Sequence, residues 1–194
     1  MPASPDPRAQ GRSHDKRSSR ADGRYRRTRD SRGSGNGAVT QLLPTRSTGE
    51  TAGAAESLQA TLVELIDLSL QAKQAHWNLV GPSFGPIHLF LDELTDQYRD
   101  WYDEVAERLA AIGVSADGRI ATVSAGTPLE PLPAGQLRDQ DVLAFFDARI
   151  TLLADRARAR LDPIGAHDVV SRDLLASIVL GLDEQRLMLR AHRS

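Results

Sequence analysis

Apolar residues recur at steps of three and four through four long segments of this chain, the spacing of helices that each bury one face. The segments run from about residue 53 to 79, 84 to 112, 139 to 162 and 168 to 191, and the first three end at Gly- or Pro-containing stretches. No stretch shows the alternation of apolar and polar residues that is typical of a strand. The sequence therefore predicts an all-α protein with four long helices.

The links between these helices predict a bundle with one long crossover. The first and third links, "VGPS" and "DPIGAHD", are short, so each joins neighbouring helices. Residues 113–138 are rich in Gly and Pro and have room for one short helix, so they form the crossover. This is the arrangement of a ferritin-like four-helix bundle, which we assign to residues 51–194. The predicted core contains Leu58, Leu62, Leu65, Ile66, Leu70, Ile87, Leu91, Leu94, Tyr98, Trp101, Val105, Leu109, Ile112, Val142, Phe145, Phe146, Ile150, Leu153, Ala157, Val170, Leu174, Ile178, Val179, Leu182 and Met188.

Residues 1–50 differ from the rest of the chain in composition and charge. They are rich in Pro, Gly, Ser and Arg, and Leu42 and Leu43 are their only adjacent large aliphatic residues. Such a segment buries too little apolar area to offset the entropy lost on ordering, so we expect a disordered extension. Residues 1–37 hold ten basic and four acidic side chains, a balance of +6, whereas the remainder holds 14 basic and 22 acidic, a balance of −8.

This basic extension is a candidate DNA-binding arm. Its positive charges would neutralise phosphates and release counterions, which gives binding that is independent of sequence and sensitive to salt. The acidic body should repel DNA, so we expect any affinity to lie in the arm. A solubilising tail, or one that aids assembly, is the alternative interpretation. The candidate DNA-binding residues are Arg8, Arg12, Lys16, Arg17, Arg20, Arg24, Arg26, Arg27, Arg29 and Arg32.

Several classes of protein are excluded by composition. The sequence contains no cysteine, which rules out disulfides and thiolate metal sites. No apolar run approaches the ~20 residues of a membrane-spanning helix. The Arg-rich N-terminus lacks the apolar segment of a secretory signal and contains acidic residues, so we expect it to belong to the mature protein. We therefore expect a cytoplasmic protein with no membrane partner, and DNA binding by the arm would make it nucleoid-associated.

The second helix carries a polar set on one side. With His88 taken as zero and 100° per residue, Asp92 lies near ~40°, Asp103 near ~60° and Glu107 near ~100°. The large apolar residues cluster near about −100°, so the set faces away from the bundle core. A solvated face of an amphipathic helix explains this pattern. A metal site explains it as well, because imidazole and carboxylate together suit Fe(II), Mn(II) or Zn(II).

One chain cannot close such a metal site by itself. Asp92 and Asp103 are separated by ~16 Å along the helix axis, whereas metal–ligand bonds are about 2.0–2.2 Å. Two copies of the helix crossing antiparallel about a two-fold axis would bring the early and late pairs together at two equivalent sites. His76, near the end of the first helix, can approach His88 across the short link and adds a donor.

The segment "KQAHWNLVGPSFGPIHLFLDEL", followed by "DEVAERL", resembles the ferroxidase segment of the Dps family, the DNA-binding proteins from starved cells or mini-ferritins. The pattern places His88 twelve residues after His76 and Asp92 four residues later, with Asp103 and Glu107 four apart. Every ligand position of the family pattern is filled. The similarity covers residues 55–193 and leaves out residues 1–50.

The resemblance implies a hollow dodecamer that oxidises Fe(II) and stores Fe(III) as a mineral. It implies ferroxidase sites, both metal-binding and catalytic, formed by His76, His88 and Asp92 of one subunit with Asp103 and Glu107 of its two-fold partner. Iron (Fe2+/Fe3+) would be the metal, and hydrogen peroxide or oxygen the oxidant. Such chemistry would protect the cell against oxidative stress.

Five more positions are interpreted through the resemblance. Trp77 would lie near the metal, where it packs the site or intercepts an oxidising equivalent; filling the interface is an equal alternative. Asp168 and Asp173 match acidic positions that line a three-fold pore in relatives, and their alternative roles are a helix N-cap and a first-turn acid. Gln185 and Leu187 stand where the family's last helix often has His and Trp, a departure that leaves the ligands intact.

Three functions remain compatible with these patterns. The first is a ferroxidase that stores iron, and the second is a nucleoid-structuring, DNA-binding cage with minor iron chemistry. The third is a metal-free helical bundle that binds a partner. The complete set of candidate ligands favours the first over the third.

Overall fold

The computed structural model describes residues 49–165 and 167–193, so the expected disorder of the N-terminal extension and its ten candidate DNA-binding residues lie outside it. In chain order the elements are α1 Gly49–Asn78, β1 Leu79–Val80, α2 Phe84–Ala111, α3 Ile120–Gly126, β2 Leu137–Arg138, α4 Asp139–Ala159, α5 Leu161–Ile164 and α6 Val169–Arg193. Four long helices and one short helix in the crossover confirm the predicted all-α, ferritin-like arrangement. The long helices begin and end within a few residues of the predicted bounds.

The long helices pack as two pairs around one apolar core. α1 packs mainly on α2, and α4 mainly on α6, each pair being joined by a short link, while α3 of the crossover packs on α1. Tyr98 of α2 is fully buried, and its hydroxyl donates a hydrogen bond to Gln185 Oε1 of α6 at 2.9 Å. Burial raises the pKa of Tyr98 well above its usual value. Among the described residues, no helix is both long and apolar enough to cross a bilayer.

A close approach between α2 and α6 depends on a glycine. A Cβ at Gly181 of α6 would lie 2.4 Å from Cζ2 of Trp101, which is buried on α2. Because no real Cβ comes so near a ring carbon, any larger residue would push the indole out of the core.

A buried ion cluster, which the sequence analysis did not predict, joins α1 to the end of α4. Glu64 of α1 is 1% exposed, and its carboxylate accepts hydrogen bonds from Arg156 and Arg160 at 2.7 Å. These guanidinium groups satisfy a charge that would be costly if it were buried alone.

The prediction that the chain contains no strand was wrong. Leu79–Val80 pairs in parallel with Leu137–Arg138, so the α1–α2 link is joined to the end of the crossover. Two residues are too few to produce a recognisable period of two, which is why the sequence pattern did not reveal this pair.

Three residues assigned to the core were also placed wrongly. Leu70, Val170 and Met188 are 60%, 61% and 51% exposed. Each lies at helical spacing from true core residues, but on the margin of the apolar face, where no element within residues 49–165 and 167–193 buries it.

Candidate metal centre

The link between α1 and α2 brings two histidines face to face. His76 lies in the last turn of α1 and His88 lies near the start of α2. Their rings stack with centroids 3.6 Å apart and planes 22° from parallel. Phe84, at the start of α2, stacks on the other side of His88 at 4.8 Å. His76 is buried and His88 is partly buried, so both imidazoles are held by packing.

Reciprocal contacts with the backbone orient the two rings. His76 Nδ1 lies 3.0 Å from the carbonyl oxygen of His88, and His88 Nδ1 lies 3.2 Å from the carbonyl oxygen of His76. A carbonyl oxygen only accepts, so each neutral ring makes this hydrogen bond with a protonated Nδ1. The lone pair of each neutral imidazole is then on Nε2, the form in which histidine binds a metal ion.

Asp92 completes a group of three donors. It lies one turn after His88 on α2, and its Oδ1 is 3.3 Å from His76 Nδ1. Lys73 of α1, one turn before His76, donates a hydrogen bond to the same Oδ1. This hydrogen bond from the Lys73 ammonium lowers the pKa of Asp92, so the carboxylate is ionised at neutral pH.

The three side chains can offer one ligand atom each within 4.8 Å of one another. In the described part of the chain they are the one group of three or more such side chains that could hold an ion. Two imidazoles and one carboxylate form a mixed set suited to Fe(II), Mn(II) or Zn(II), and three protein ligands leave coordination positions open.

The other two predicted ligands are not part of this group. Asp103 and Glu107 are exposed on the later half of α2, and within residues 49–165 and 167–193 neither makes an ion pair or a hydrogen bond through its carboxylate. One chain therefore presents two separate sets of donors, one at the junction of α1 with the start of α2 and the other on the later half of α2.

Apolar surface lies beside Lys73, the lysine that donates a hydrogen bond to Asp92. An open groove of about 660 Å³ has Lys73, Trp77 and Tyr102 among its lining residues. Trp77 is 68% exposed, and Leu70 in the same groove is 60% exposed. An indole left in water beside polar donors is the kind of surface that a second protein molecule covers.

Asp168 serves as the N-cap of α6. Its Oδ1 accepts hydrogen bonds from the Ser171 amide at 3.0 Å and from Arg108 Nη2 of α2 at 2.7 Å. Although burial opposes the shift, hydrogen bonds from Ser171 and Arg108 lower the pKa of Asp168.

Asp173 is exposed, and the interpretation of it as a first-turn acid was wrong, because the first turn of α6 holds no acidic residue. The role of Asp168 and Asp173 in a pore stays a prediction.

Sequence reasoning missed one residue that contacts the centre and one that contacts the turn between its two histidines. Lys73 precedes His76 by three positions, so it lies on the same face of α1, and this spacing was a signal that could have been used. Asp139 is 56 positions from its partner Ser83, and nothing in the local pattern indicates that contact.

Of the two positions that depart from the family pattern, Gln185 is buried against Tyr98 and Leu187 is 71% exposed.

Comparison with known proteins gives a consistent set of relatives. Residues 55–194 match the family described as "Ferritin-like domain". A protein of Agrobacterium fabrum named "DNA protection during starvation protein" is 34% identical over 136 residues, which cover 70% of this chain and 84% of that protein. A Haemophilus ducreyi protein named "Fine tangled pili major subunit" is 36% identical over 71% of this chain and 73% of its own length. The crystallised Dps of Microbacterium arborescens "in the high iron form" superposes with a TM-score of 0.71 at 32% identity, over 76% of this chain and 97% of that one.

Proposed function

Because the chain belongs to the Dps family of ferritin-like proteins, we propose that it binds Fe(II) at sites shared by two subunits, oxidises it and stores Fe(III) inside a hollow dodecamer. The observation that carries this proposal is the group formed by His76, His88 and Asp92, with the imidazoles oriented by backbone carbonyls. The name of the Microbacterium arborescens structure, which refers to iron, supports the choice of metal.

The site requires a second subunit. Asp103 and Glu107 are exposed on the same helix as His88, ~16 Å or more along the axis from Asp92. A partner α2 crossing antiparallel would carry its own Asp103 and Glu107 to the three donors, and the symmetry would generate a second, equivalent site. The exposed Trp77 and Leu70 beside the donors supply apolar area for that interface.

The donor set explains both binding and release of iron. Two imidazoles and a carboxylate hold Fe(II), and the partner's carboxylates complete the shell while leaving room for the oxidant. One hydrogen peroxide takes up two electrons, one from each of two Fe(II) ions, and is reduced to two water molecules as it takes up two protons. Fe(III) is a harder ion that favours oxygen donors, so it is held less well by imidazole and can move to the mineral.

Complementation between two inactive variants tests the shared site. His76→Ala with His88→Ala removes both imidazoles, and Asp103→Ala with Glu107→Ala removes both carboxylates that the partner subunit would contribute. Each variant alone should lose rapid Fe(II) oxidation, followed by absorbance of the ferric product, while still assembling. In assemblies formed from both variants, a mixed pair has one intact site and one site that retains only Asp92 of the five donors. Random pairing should therefore restore about a quarter of the wild-type rate.

Two results would contradict the proposal. Unchanged oxidation in either double variant would remove the site assignment. If mixed assemblies, verified by size and by differential tags, stayed inactive, the donors would not be shared across a two-fold interface. A matched control replaces the exposed acids Asp96 and Asp100 of the same helix by Ala and should leave the rate unchanged.

We also propose that residues 1–50 form a separate extension that binds DNA without sequence preference. The support is the charge balance of +6 in residues 1–37 against −8 in the remainder, together with the relative named for DNA protection. Deleting residues 1–37 should abolish the retardation of linear DNA in a gel at low salt, and wild-type binding should weaken steeply as salt rises. If the truncated protein retards DNA equally well, the arm is not the binding element. If DNA binding persists when oxidation is lost, nucleoid structuring stands as an independent function.

A further inference from the structure

A carboxylate at the start of α4 holds the turn between α1 and α2. Asp139 is only 4% exposed, and both its oxygens accept hydrogen bonds from backbone amides. Oδ2 accepts from the Ser83 amide and Oδ1 from the Gln140 amide, each at 2.8 Å. Ser83 is the residue just before α2, so this bond ties the beginning of α2 to the beginning of α4.

The turn is shaped to receive that carboxylate. Gly81 has a φ of 142°, a conformation that favours glycine, and a Cβ there would lie 2.4 Å from Asp139 Cγ. Gly81 therefore gives both the backbone conformation and the space that the contact needs. The strand pair between Leu79–Val80 and Leu137–Arg138 lies directly beside it. We call this arrangement of β1, β2, Gly81, Ser83 and Asp139 the clasp.

We propose that Asp139 is a positioning residue for the metal centre, acting through the clasp on the spacing of His76 and His88. This inference rests on the proposed function. The clasp includes the chain segment that connects α1 to α2, and the two histidines lie on either side of this segment in the sequence. Each ring contacts the other residue's carbonyl oxygen, so the relative position of the ends of α1 and α2 sets both Nδ1 contacts.

The hydrogen bond from Ser83 supplies what the strand pair cannot. Two paired residues fix a register but are far shorter than an ordinary strand, so they hold a turn weakly. A buried ionised acceptor gives a stronger hydrogen bond than a neutral one. Asp139 touches neither imidazole nor Asp92, so its effect on metal binding passes through the turn.

Metal binding by the full-length protein tests this role. Asp139→Ala removes both acceptors, and Asp139→Asn keeps one carbonyl acceptor. Asp141→Ala is the matched control, because Asp141 is an exposed acid in the first turn of the same helix. Each protein is titrated with Co(II) without oxygen, well below its own melting temperature, and the Kd and the visible d–d spectrum are recorded. Asp139→Ala should raise the Kd roughly tenfold and change the spectrum. Asp139→Asn should recover part of both, and Asp141→Ala should match wild type.

A second variant approaches the same contact from the other side. Gly81→Ala places a methyl group where the Asp139 carboxylate lies, so it should weaken Co(II) binding in the same way. This variant retains the carboxylate, so it keeps the test decisive if Asp139→Ala does not fold. The proposal would be overturned if both variants kept the wild-type Kd and spectrum while their melting temperatures fell. Such a result is expected if Asp139 contributes to stability but not to the geometry of the metal centre.

Crystal structures of the metal-free wild type and Asp139→Ala separate this inference from the proposed function. If wild type does not bind Co(II), the proposed function fails, yet the ring geometry still decides the role of Asp139. We expect the His76 and His88 rings of the variant to move beyond their 3.6 Å stacking distance and to lose at least one carbonyl contact. Rings that keep the wild-type geometry would overturn the inference.

Discussion

The two halves of α2 carry similar polar residues in very different surroundings. In the first half, His88 stacks on His76, and Asp92 is hydrogen-bonded to Lys73. In the second half, Asp103 and Glu107 are exposed and, among the described residues, make no ion pair. The first set is arranged by contacts within the chain, whereas the second set is simply presented to the surface.

This difference indicates how a shared site can be divided between subunits. In the proposed shared site, the part that contains the imidazoles must orient them, and orientation requires packing, carbonyl contacts and a fixed turn. The part that contributes carboxylates would need only to project them from a rigid helix, because the partner subunit would supply their surroundings. If this contrast holds, substitutions in the first half of α2 should change both the melting temperature and Fe(II) oxidation, whereas substitutions of the acids in the second half should change oxidation alone.

The largest expected effect separates activity from stability. His88→Ala should lower the Fe(II) oxidation rate by roughly 100-fold or more and should also lower the melting temperature, because it removes packed ring contacts. Asp103→Asn with Glu107→Gln should lower the rate as strongly while leaving the melting temperature equal or higher, since exposed like charges are removed. Stopped-flow absorbance and calorimetry measure the two quantities. Glu104→Gln is the control on the same exposed side, and a loss of stability in the carboxylate variant would break the contrast.

A smaller effect is expected where the second half of α2 is tied to α6. Arg108 follows Glu107 and donates to Asp168, so Asp168→Ala removes both the N-cap and this ion pair. The free energy of unfolding should fall by about 1–2 kcal/mol at pH 7. It is measured by denaturant titration at one fixed protein concentration. Asp173→Ala, at an exposed position on the same helix, should have no measurable effect.

The same pair should show a defined pH dependence. The pKa of Asp168 is lowered in the folded state, so its stabilisation is fully present above the unfolded-state value of about 3.9 and is lost as pH falls through the folded-state value. The difference in unfolding free energy between wild type and Asp168→Ala should therefore shrink in acid. A difference that stays constant from pH 7 to pH 3 would show that ionisation of Asp168 contributes nothing.

The smallest expected effect concerns Lys73. Its ammonium occupies one oxygen of Asp92, so a metal ion must displace it or share the carboxylate. Lys73→Met should tighten Co(II) binding a few-fold at low salt, as seen by calorimetric titration, because a neighbouring positive charge is removed. Arg99→Met removes the same charge from the adjacent groove and should leave the Kd nearly unchanged. Weaker binding by Lys73→Met would show that the lysine orients Asp92 rather than competing for it.

The helices and the face that carries the donors were predictable, because both depend on spacing along one chain. The 3.6-residue period located α2, and the same period placed His88, Asp92, Asp103 and Glu107 on one side. Burial at the margins was less predictable, since Leu70, Val170 and Met188 have core spacing but remain more than half exposed. The contacts of Glu64 with Arg156 and Arg160 escaped prediction because they join residues more than 90 positions apart.

The sequence by itself determined the four long helices, the residue types of the candidate donors and the separation of ~16 Å between Asp92 and Asp103 along α2. Those properties follow from a fixed rise and rotation per residue. Only the tertiary structure decided that His76 and His88 stack, that their Nδ1 atoms face carbonyl oxygens, and that Asp139 holds the turn between them. Those properties depend on how helices and turns that are distant in sequence pack against one another. The residue pattern along a helix indicates which face is turned inward, but it does not indicate which atoms of another element that face will contact.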